Sequence, residues 1–331
     1  MGENVTIHDV AAEAKVSIAT VSRVLNNLDS VKESTRERVF QAMRTVGYPI
    51  PNMEPNSQQG SKTILVMITN LGNFFTGKEL EGIFSAAYYG GYDCIIYRQK
   101  SETYSLEDMC AVAEAVDACG ILMSLPNVPT EIMNKLSEIY PVVQFSEFAE
   151  SCPAPFVSVD DYAAAKLATS YVLKMGKRRV ALLNGPKRFK YARERERGYV
   201  DALTEFGIVP DPGLMVSMST IAPSAVHSVT SQLVGTSGQL DAVVSVSDSL
   251  AASVIAAAHT IGKKVPEDLA VISCEDTELA QMIVPPLTSV SQPIFHIGEQ
   301  ACKMLLDMID GHRPMPDQIF LNVQLVVRES T

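Results

Sequence analysis

The ten residues from Ser17 to Asn26, SIATVSRVLN, combine a contact surface with a packing surface. At about 100° per residue, one helical arc holds Ile18, Ala19, Ser22, Arg23 and Asn26, and the opposite arc holds Thr20, Val21, Val24 and Leu25. The first arc suits a helix that lies in a DNA groove. Arg23 has the donors to bond O6 and N7 of guanine together, and Ala19 is small enough to lie against a thymine methyl group.

Two more helices are needed to position this one. Thr6 and Asp9 have the spacing of a capping box, which begins a helix whose Val10, Ala11 and Ala14 face inward. Lys15 stands in the following turn, where a positive φ would favour glycine and costs a lysine a little. A second capping box at Ser34 to Glu37 begins a third helix, whose apolar residues close a three-helix core: Val39, Phe40, Met43 and Val46.

These residues resemble the helix-turn-helix headpiece of the LacI/GalR family of bacterial transcription regulators. The matching motifs are DVA at 9–11, VSIATVSRVLN at 16–26, TRERV at 35–39 and GYPIPN at 47–52. The resemblance implies that Ile18, Ala19 and Arg23 contact DNA bases. It also implies phosphate contacts by Ser17, Thr20, Ser22, Asn26 and Thr35, each of which has a competing role as a helix cap or a solvated side chain. We assign residues 1–50 to this headpiece.

The charge of the chain is unevenly distributed. Residues 1–62 carry seven Lys or Arg and seven Asp or Glu, so the rest of the chain holds the whole net charge of −11. A neutral headpiece attracts phosphates weakly, and its affinity for DNA must come from placed contacts. We therefore expect a homodimer that pairs two headpieces on a pseudo-palindromic operator in double-stranded DNA.

The segment 51–62, PNMEPNSQQGSK, predicts a linker with an atypical hinge. The family usually has a hinge helix here with the pattern N-x-x-A-R-x-L. This chain keeps Asn52, but Pro55 and Asn56 replace the Ala and Arg, and Gln58 replaces the Leu. Proline disfavours a helix interior, and glutamine is not an apolar wedge for the minor groove. The departure resembles the atypical hinge of some family members, and a second DNA-bound protein as a helper is a hypothesis that it motivates.

From Thr63 onward, short apolar strands alternate with helices, as in TILVMIT, YDCIIY, GILMSL and PVVQFS, and again in RRVALLN, DAVVSVS and LAVISC. Such alternation is typical of α/β folds with parallel, doubly wound sheets, and two sets imply two lobes. This part resembles the periplasmic-binding-protein-like core of the same family, through VSVDDY, KRRVALLNGP, SDSLAASVI, VPEDLAVIS and LVVREST. We expect residues 63–331 to bind an effector and to dimerise.

The resemblance also predicts how the chain divides between the lobes. In the family the chain crosses from one lobe to the other three times. The crossings should lie here near residues 160, 291 and 320. The N-lobe then comprises about 63–160 and 292–320, and the C-lobe comprises about 161–291 and 321–331.

Candidate effector contacts follow from the strand ends, because open parallel sheets bind ligands at the carboxyl ends of their strands. Asn73, Phe74 and Phe75 follow the first strand, and an aromatic ring there suits the apolar face of a sugar or base. Phe75 has core packing as an equally supported alternative. Asp248 follows the strand DAVVSVS and is equally placed to cap the next helix.

The resemblance adds Arg195, Ser247 and Glu275 to the candidate effector site. Arg195 lies three residues before Gly198, where the family places an effector-binding arginine, although RERER is also typical of a solvated charged surface. Ser247 replaces the first residue of a common Asn-Asp pair. Glu275 replaces an aspartate that binds ligand hydroxyls or amides, and its extra methylene predicts a different effector geometry.

The remaining composition excludes several classes of protein. No run of eighteen apolar residues and no secretory signal is present, so we expect a cytoplasmic protein without a membrane span. The six cysteines are scattered, which favours reduced thiols over a metal site, and no cofactor is expected. The sequence has neither a GxGxxG motif nor a P-loop, and none of its histidines is paired with a nucleophile in a motif. We therefore do not expect an enzyme.

The predicted function is a DNA-binding transcriptional regulator, a repressor whose operator affinity is modulated by a small molecule between the lobes. A sugar, a phosphorylated sugar and a nucleoside all suit the candidate residues. Activation is the alternative to repression, and a solute-binding protein or sensor with the same core fold is the alternative to a regulator.

Overall fold

A computed structural model describes residues 6–25, 31, 33–46, 48, 62–100, 103–149, 152, 154–218, 223–236 and 240–331. The chain divides into two compact units, one built on residues 1–60 and the other on residues 61–88 and 92–331. Asn26, the hinge positions Asn52, Pro55, Asn56 and Gln58, and the end of the third headpiece helix at Gly47 lie outside the described residues.

The described residues of the headpiece form three helices: α1 (Ile7–Ala14), α2 (Ile18–Leu25) and α3 (Glu33–Val46). Each contributes apolar residues at helical spacing to one small core, which buries Val10, Ala11, Ala14, Val21, Val24, Val39, Phe40, Ala42 and Met43. These include most of the residues that the sequence predicts to face inward. The packing surface of α2 buries Val21 and Val24, and its other surface carries the exposed Ile18, Ala19 and Arg23.

The turn between α1 and α2 follows from local chemistry. The Asp9 carboxylate accepts both the backbone N–H and the hydroxyl of Thr6 at 2.7 Å, which fixes the start of α1. Lys15 adopts φ 53° at the end of α1, the left-handed conformation that the sequence suggested would favour glycine. Ser17 Oγ then accepts the N–H of Thr20 at 3.1 Å and caps α2.

The N-lobe of the core contains a six-stranded sheet among the described residues, in the order β11-β5-β4-β3-β1-β2. Its strands are β1 (Thr63–Ile68), β2 (Asp93–Arg98), β3 (Ala118–Ser124), β4 (Val142–Phe145), β5 (Phe156–Val159) and β11 (Gln318–Leu321), paired in parallel. Four helices accompany them: α4 (Phe74–Gly90), α5 (Leu106–Ala115), α6 (Thr130–Ile139) and α12 (Ile294–Ile309).

The C-lobe repeats this plan in the order β12-β10-β9-β8-β6-β7. Its strands are β6 (Val180–Asn184), β7 (Met215–Ser217), β8 (Ala242–Ser245), β9 (Ala270–Ser273), β10 (Thr288–Ser291) and β12 (Gln324–Val326), and only β12 pairs antiparallel among these described strands. Its helices are α7 (Asp161–Lys174), α8 (Lys190–Glu205), α9 (Pro223–Thr236), α10 (Asp248–Thr260) and α11 (Glu278–Met282).

The chain passes between the two sheets at three places. These are the junction of β5 with α7, the segment between β10 and α12, and the segment between β11 and β12. Parallel sheets covered on both faces require nearly continuous apolar strands, and β1 is buried from Ile64 to Ile68. Separate apolar clusters fill the two faces of the N-lobe sheet, and one large cluster fills the C-lobe.

Neither a membrane span nor a metal centre is found in the described part of the chain. No helix there is long and apolar enough to cross a bilayer. No group of three or more His, Cys, Asp or Glu side chains in the same residues is arranged to hold a metal ion. The six cysteines are free thiols.

Candidate functional site

The solvent-facing surface of α2 presents the three predicted base-contacting residues together. Ile18 is 42% exposed, and Ala19 and Arg23 are exposed beside it, while Val21 and Val24 are buried beneath. The helix therefore offers a guanidinium, a methyl group and a branched apolar side chain on one side. This combination suits direct reading of base edges in the major groove.

The predicted phosphate-contacting residues surround that surface. Ser17 is exposed and shares a hydrogen bond of 2.8 Å with the hydroxyl of Thr20, in addition to capping α2. Ser22 and Thr35 are half-buried. The phosphate contacts of these residues stay predictions. For Ser17, the capping contact is by itself a sufficient role.

A cavity of about 380 Å³ lies in the cleft between the lobes of the core. The N-lobe wall is formed at the carboxyl ends of its parallel strands, by Ile68, Ser124 and Ser146 among others. The C-lobe contributes the start of α8 and Glu275 after β9. Such a volume at the carboxyl ends of parallel strands is suited to a small molecule.

Asp161 organises the basic groups of the cleft. Its Oδ1 accepts from Arg195 Nε at 3.0 Å and from Nη2 at 2.8 Å, and its Oδ2 accepts from Lys190 Nζ at 2.9 Å. Arg195 also donates through Nη1 to the carbonyl of Val246. All three charged side chains are buried, so each depends on the others for compensation.

Glu147 reaches from the N-lobe to the first turn of α8 in the C-lobe. Its carboxylate accepts the backbone N–H of Lys190 at 2.8 Å and of Tyr191 at 3.0 Å. Phe189 precedes this helix and its side chain cannot cap it. Glu147 instead supplies the acceptor for the N–H groups at the helix start. Burial raises the pKa of Glu147 to about 7, although both backbone hydrogen bonds act in the opposite direction.

Two further glutamates line the cavity. Glu79 on α4 is 3% exposed and accepts from Ser146 Oγ, and burial raises its pKa to about 8. Glu275 accepts the backbone N–H of Asp248 at 2.9 Å, and burial together with the Asp248 charge raises its pKa to about 8. Both carboxyl groups therefore favour the protonated form at neutral pH.

Aromatic rings complete the cavity wall. Phe75 packs against the N-lobe core and also lines the cavity, so its two predicted roles coexist. Phe189 and Tyr191 stack with ring centroids 5.4 Å apart, and the Arg195 guanidinium lies 5.1 Å from the Tyr191 ring. Flat apolar faces next to hydrogen-bonding groups suit a sugar ring or a base.

The structure separates the predicted effector residues into two groups. Asn73, Phe75, Arg195 and Glu275 line the cavity, whereas Phe74, Ser247 and Asp248 do not. Phe74 is 50% exposed at the start of α4. Ser247 caps α10 by accepting the Leu250 N–H at 3.3 Å.

Asp248 is used as a structural cross-link. It is fully buried and accepts from Ser273 Oγ, and its other oxygen accepts the N–H and hydroxyl of Thr277 at 2.6 and 2.7 Å. These bonds tie the start of α10 to the segment after β9. The carboxylate is thereby saturated with protein donors, which favours the capping alternative for this residue.

The sequence did not predict several cavity residues, namely Glu79, Glu147, Asp161, Phe189 and Tyr191, nor Lys190, which pairs with Asp161 behind the cavity wall. Glu79 carried a usable signal, because it lies on the stripe of α4 that otherwise buries Leu80, Ile83 and Ala87. A carboxylate on an apolar stripe requires a partner or a function. Glu147 carried no such signal, because its partners lie 43 and 44 residues away across the cleft.

Comparison with known proteins agrees with this geometry. Residues 6–52 match the model of bacterial regulatory proteins of the lacI family, and residues 169–331 match a periplasmic binding protein-like domain. The chain is 33% identical to the HTH-type transcriptional repressor CytR of Escherichia coli strain K12, over 98% of this chain and 96% of that protein. The chain belongs to the LacI family.

Other LacI-family proteins are similar over their full length. Catabolite control protein A of Priestia megaterium is 31% identical over 99% of both chains. A solved complex of the transcriptional regulator CelR with cellobiose has a TM-score of 0.74 and 27% identity, covering 99% of this chain and all of that one. These relatives are transcriptional regulators, and the headpiece and cleft of this LacI-family chain are those of a DNA-binding regulator with an effector-binding core.

Proposed function

We propose that this LacI-family regulator is a repressor that binds a pseudo-palindromic operator as a homodimer and is controlled by a small polyhydroxylated molecule in the cleft. The observation that carries the proposal is the cavity of about 380 Å³, which is lined by polar side chains from both lobes. A ligand that contacts both lobes stabilises one relative arrangement of them. It changes operator affinity by its differential affinity for the two arrangements.

The lining favours a sugar or a nucleoside as the effector over a phosphorylated sugar. The buried bases Lys190 and Arg195 are already paired with Asp161, so neither is available to neutralise a phosphate. The carboxyl groups of Glu79, Glu147 and Glu275 add hydrogen-bonding partners for ligand hydroxyls. The cellobiose bound by CelR, a relative with the same fold, supports a hydroxyl-rich ligand.

Contacts between the lobes provide the route for control. Glu147 joins the N-lobe to α8 at the edge of the cavity, and Lys78 on α4 lies 3.5 Å from Glu278 on α11. The first contact is buried, whereas the second is partly exposed and screened by water, so the second contributes little to the interlobe free energy. An effector that binds beside Glu147 is placed to strengthen or to break this contact.

Dimerisation follows from the modest charge of the headpiece. One neutral headpiece makes few phosphate contacts, and two related by a twofold axis double the contacts and match a palindromic site. A second DNA-bound protein that assists binding is the companion proposal, motivated by Pro55 and Gln58 in the linker.

The proposal is tested by two linked measurements on the full chain. Selection of DNA from a random library should return an inverted repeat, and a thermal-shift screen of sugars, nucleosides and phosphorylated sugars should return a stabilising ligand. Recovery of an asymmetric site would contradict the homodimer. Stabilisation by phosphorylated sugars alone would contradict the ligand class.

A further inference from the structure

Among the residues that the structure describes, the cleft holds more acidic groups than buried basic groups. Four carboxyl groups line or adjoin the cavity with little exposure, from Glu79, Glu147, Asp161 and Glu275. They face two buried bases, Lys190 and Arg195. Arg98 and Arg188 also line the cavity, but both are exposed, and water screens their charges.

Two of the four carboxyl groups already accept hydrogen bonds at both oxygens. Asp161 accepts three hydrogen bonds from the two buried bases. Glu147 accepts two backbone N–H groups at the start of α8, where a helix favours negative charge. Among the described residues, neither Glu79 nor Glu275 forms an ion pair with a basic side chain; the Arg195 charge that acts on Glu275 is already shared with Asp161.

Glu79 offers an unused oxygen to the cavity. Glu79 is buried, with 3% of its surface exposed, and its Oε1 accepts from Ser146 Oγ. Among the residues that the structure describes, no donor bonds its Oε2. An ionised carboxylate in such a place is poorly stabilised until a cation or further donors arrive.

Glu275 approaches the same space from the C-lobe. Its Oε2 accepts the Asp248 N–H, and no donor in the described part of the chain bonds its Oε1. Glu79 and Glu275 line the same cavity from the two lobes. The rings of Phe75, Phe189 and Tyr191 line the same cavity, and aromatic faces also favour a cation.

We propose that the effector carries a protonated amine on its polyhydroxylated scaffold, and that Glu79 and Glu275 bind this amine from opposite lobes. The inference rests on the proposed function, since it assigns the chemical class of the ligand for the same cleft. One ammonium group supplies the donors that both free oxygens lack, and it draws the N-lobe and the C-lobe toward each other.

Binding of the amine should release protons. Burial raises the pKa values of Glu79 and Glu275 to about 8, so both favour the protonated form at pH 7. A neighbouring ammonium lowers both values and drives ionisation. The other charged groups that face them are Glu147, Asp161, Lys190, Arg195 and the exposed Arg98 and Arg188. Glu147 has a pKa of about 7, so it adds to the proton release.

The test compares matched pairs of ligands at pH 7. Calorimetry on the full chain uses glucose with glucosamine, galactose with galactosamine, and adenosine with 5′-amino-5′-deoxyadenosine, in two buffers of different ionisation enthalpy. We expect the amine to bind about tenfold tighter or more than its parent in at least one pair, with net proton release. Glu79→Gln and Glu275→Gln should each bring the ratio of the parent Kd to the amine Kd close to one. The exposed Glu131→Gln should leave that ratio unchanged.

Each outcome decides between the two proposals. Equal or tighter binding of the parent, or amine binding without proton release, overturns the amine inference and leaves the sugar or nucleoside class standing. The amine inference is also overturned if both variants fold and keep the full selectivity. Absence of binding by either member of all three pairs overturns both proposals for this cleft.

Discussion

Glu147 and Tyr191 lie in different lobes and are joined by a hydrogen bond of 3.0 Å from the Tyr191 backbone N–H to the Glu147 carboxylate. The same carboxylate accepts the N–H of Lys190, and Lys190 Nζ lies 4.6 Å from the ring of Phe148, the next residue of the N-lobe. A short N-lobe segment thus contacts the start of α8 in two ways. The Glu147 carboxylate accepts two backbone N–H groups, and the Phe148 ring faces the Lys190 ammonium.

Replacement of Glu147 with glutamine should loosen the lobes. The two carboxylate oxygens each accept one backbone N–H, and the amide keeps only one acceptor oxygen, so one N–H loses its partner and we expect a loss of about 1–2 kcal/mol in the free energy of unfolding. Hydrogen exchange at the amides of Lys190 and Tyr191 should become faster. Unchanged protection at both amides would contradict the role assigned to Glu147.

Stability should fall as pH rises from about 4.5 to about 8. Glu79, Glu147 and Glu275 have an ordinary pKa of 4.5, and burial raises the values in the folded protein to about 8, 7 and 8. The folded state therefore binds more protons than the unfolded state in this window. The corresponding contribution to the free energy of unfolding is fully present below pH 4.5 and is lost as pH rises through the folded-state pKa values.

Thermal unfolding of the unliganded chain between pH 5 and pH 8 measures this effect. Glu79→Gln should flatten the decline in Tm by at least about 2 °C, because the amide does not titrate. Glu131→Gln is the matched control, since that carboxyl is exposed and its pKa is lowered by the hydrogen bond with Lys135. A Tm that rises over the same range would contradict the buried, protonated glutamates.

Arg23→Ala should abolish sequence discrimination without unfolding the headpiece. Arg23 is exposed on α2, and a bidentate contact with guanine contributes about 1–3 kcal/mol of specificity. Titration against the operator and a scrambled duplex measures the ratio of the two affinities. Arg38→Ala removes an exposed charge from α3 and should weaken both affinities alike; an operator preference retained in Arg23→Ala would count against base reading by this residue.

Asp248→Ala should destabilise the C-lobe strongly. It leaves the N–H of Thr277 and two hydroxyl groups without their buried acceptor, so we expect a loss of roughly 3 kcal/mol in chemical denaturation. Asp307→Ala on the exposed side of α12 should change stability by less than about 0.5 kcal/mol. A normal stability with lost effector binding would instead restore the ligand role suggested by the sequence.

The local features of the fold are readable from the sequence. The two faces of α2, the capping box of α1 and the apolar strands of the core depend on residues a few positions apart. Periodicity did not identify α6, α7, α9 or α12. Runs such as AAAKLATSYVLK in α7 are small and apolar on several sides, so their helical period is weak.

The cleft could be predicted only in part. Strand ends and the family resemblance suggested Asn73, Phe75, Arg195 and Glu275, which line the cavity. They do not reveal which partner saturates a candidate, as Thr277 and Ser273 do for Asp248. Contacts such as Glu147 to Tyr191 depend on how the two lobes meet, and no local pattern encodes that.

Operator titration with and without a cleft ligand is the most direct test of control by the cleft. With the full chain and a stabilising ligand from the screen, we expect saturation to change the operator Kd by about 5- to 150-fold, and the operator to change the ligand Kd by the same factor. An operator Kd that is unchanged at saturating ligand would contradict the proposal that the cleft controls DNA binding.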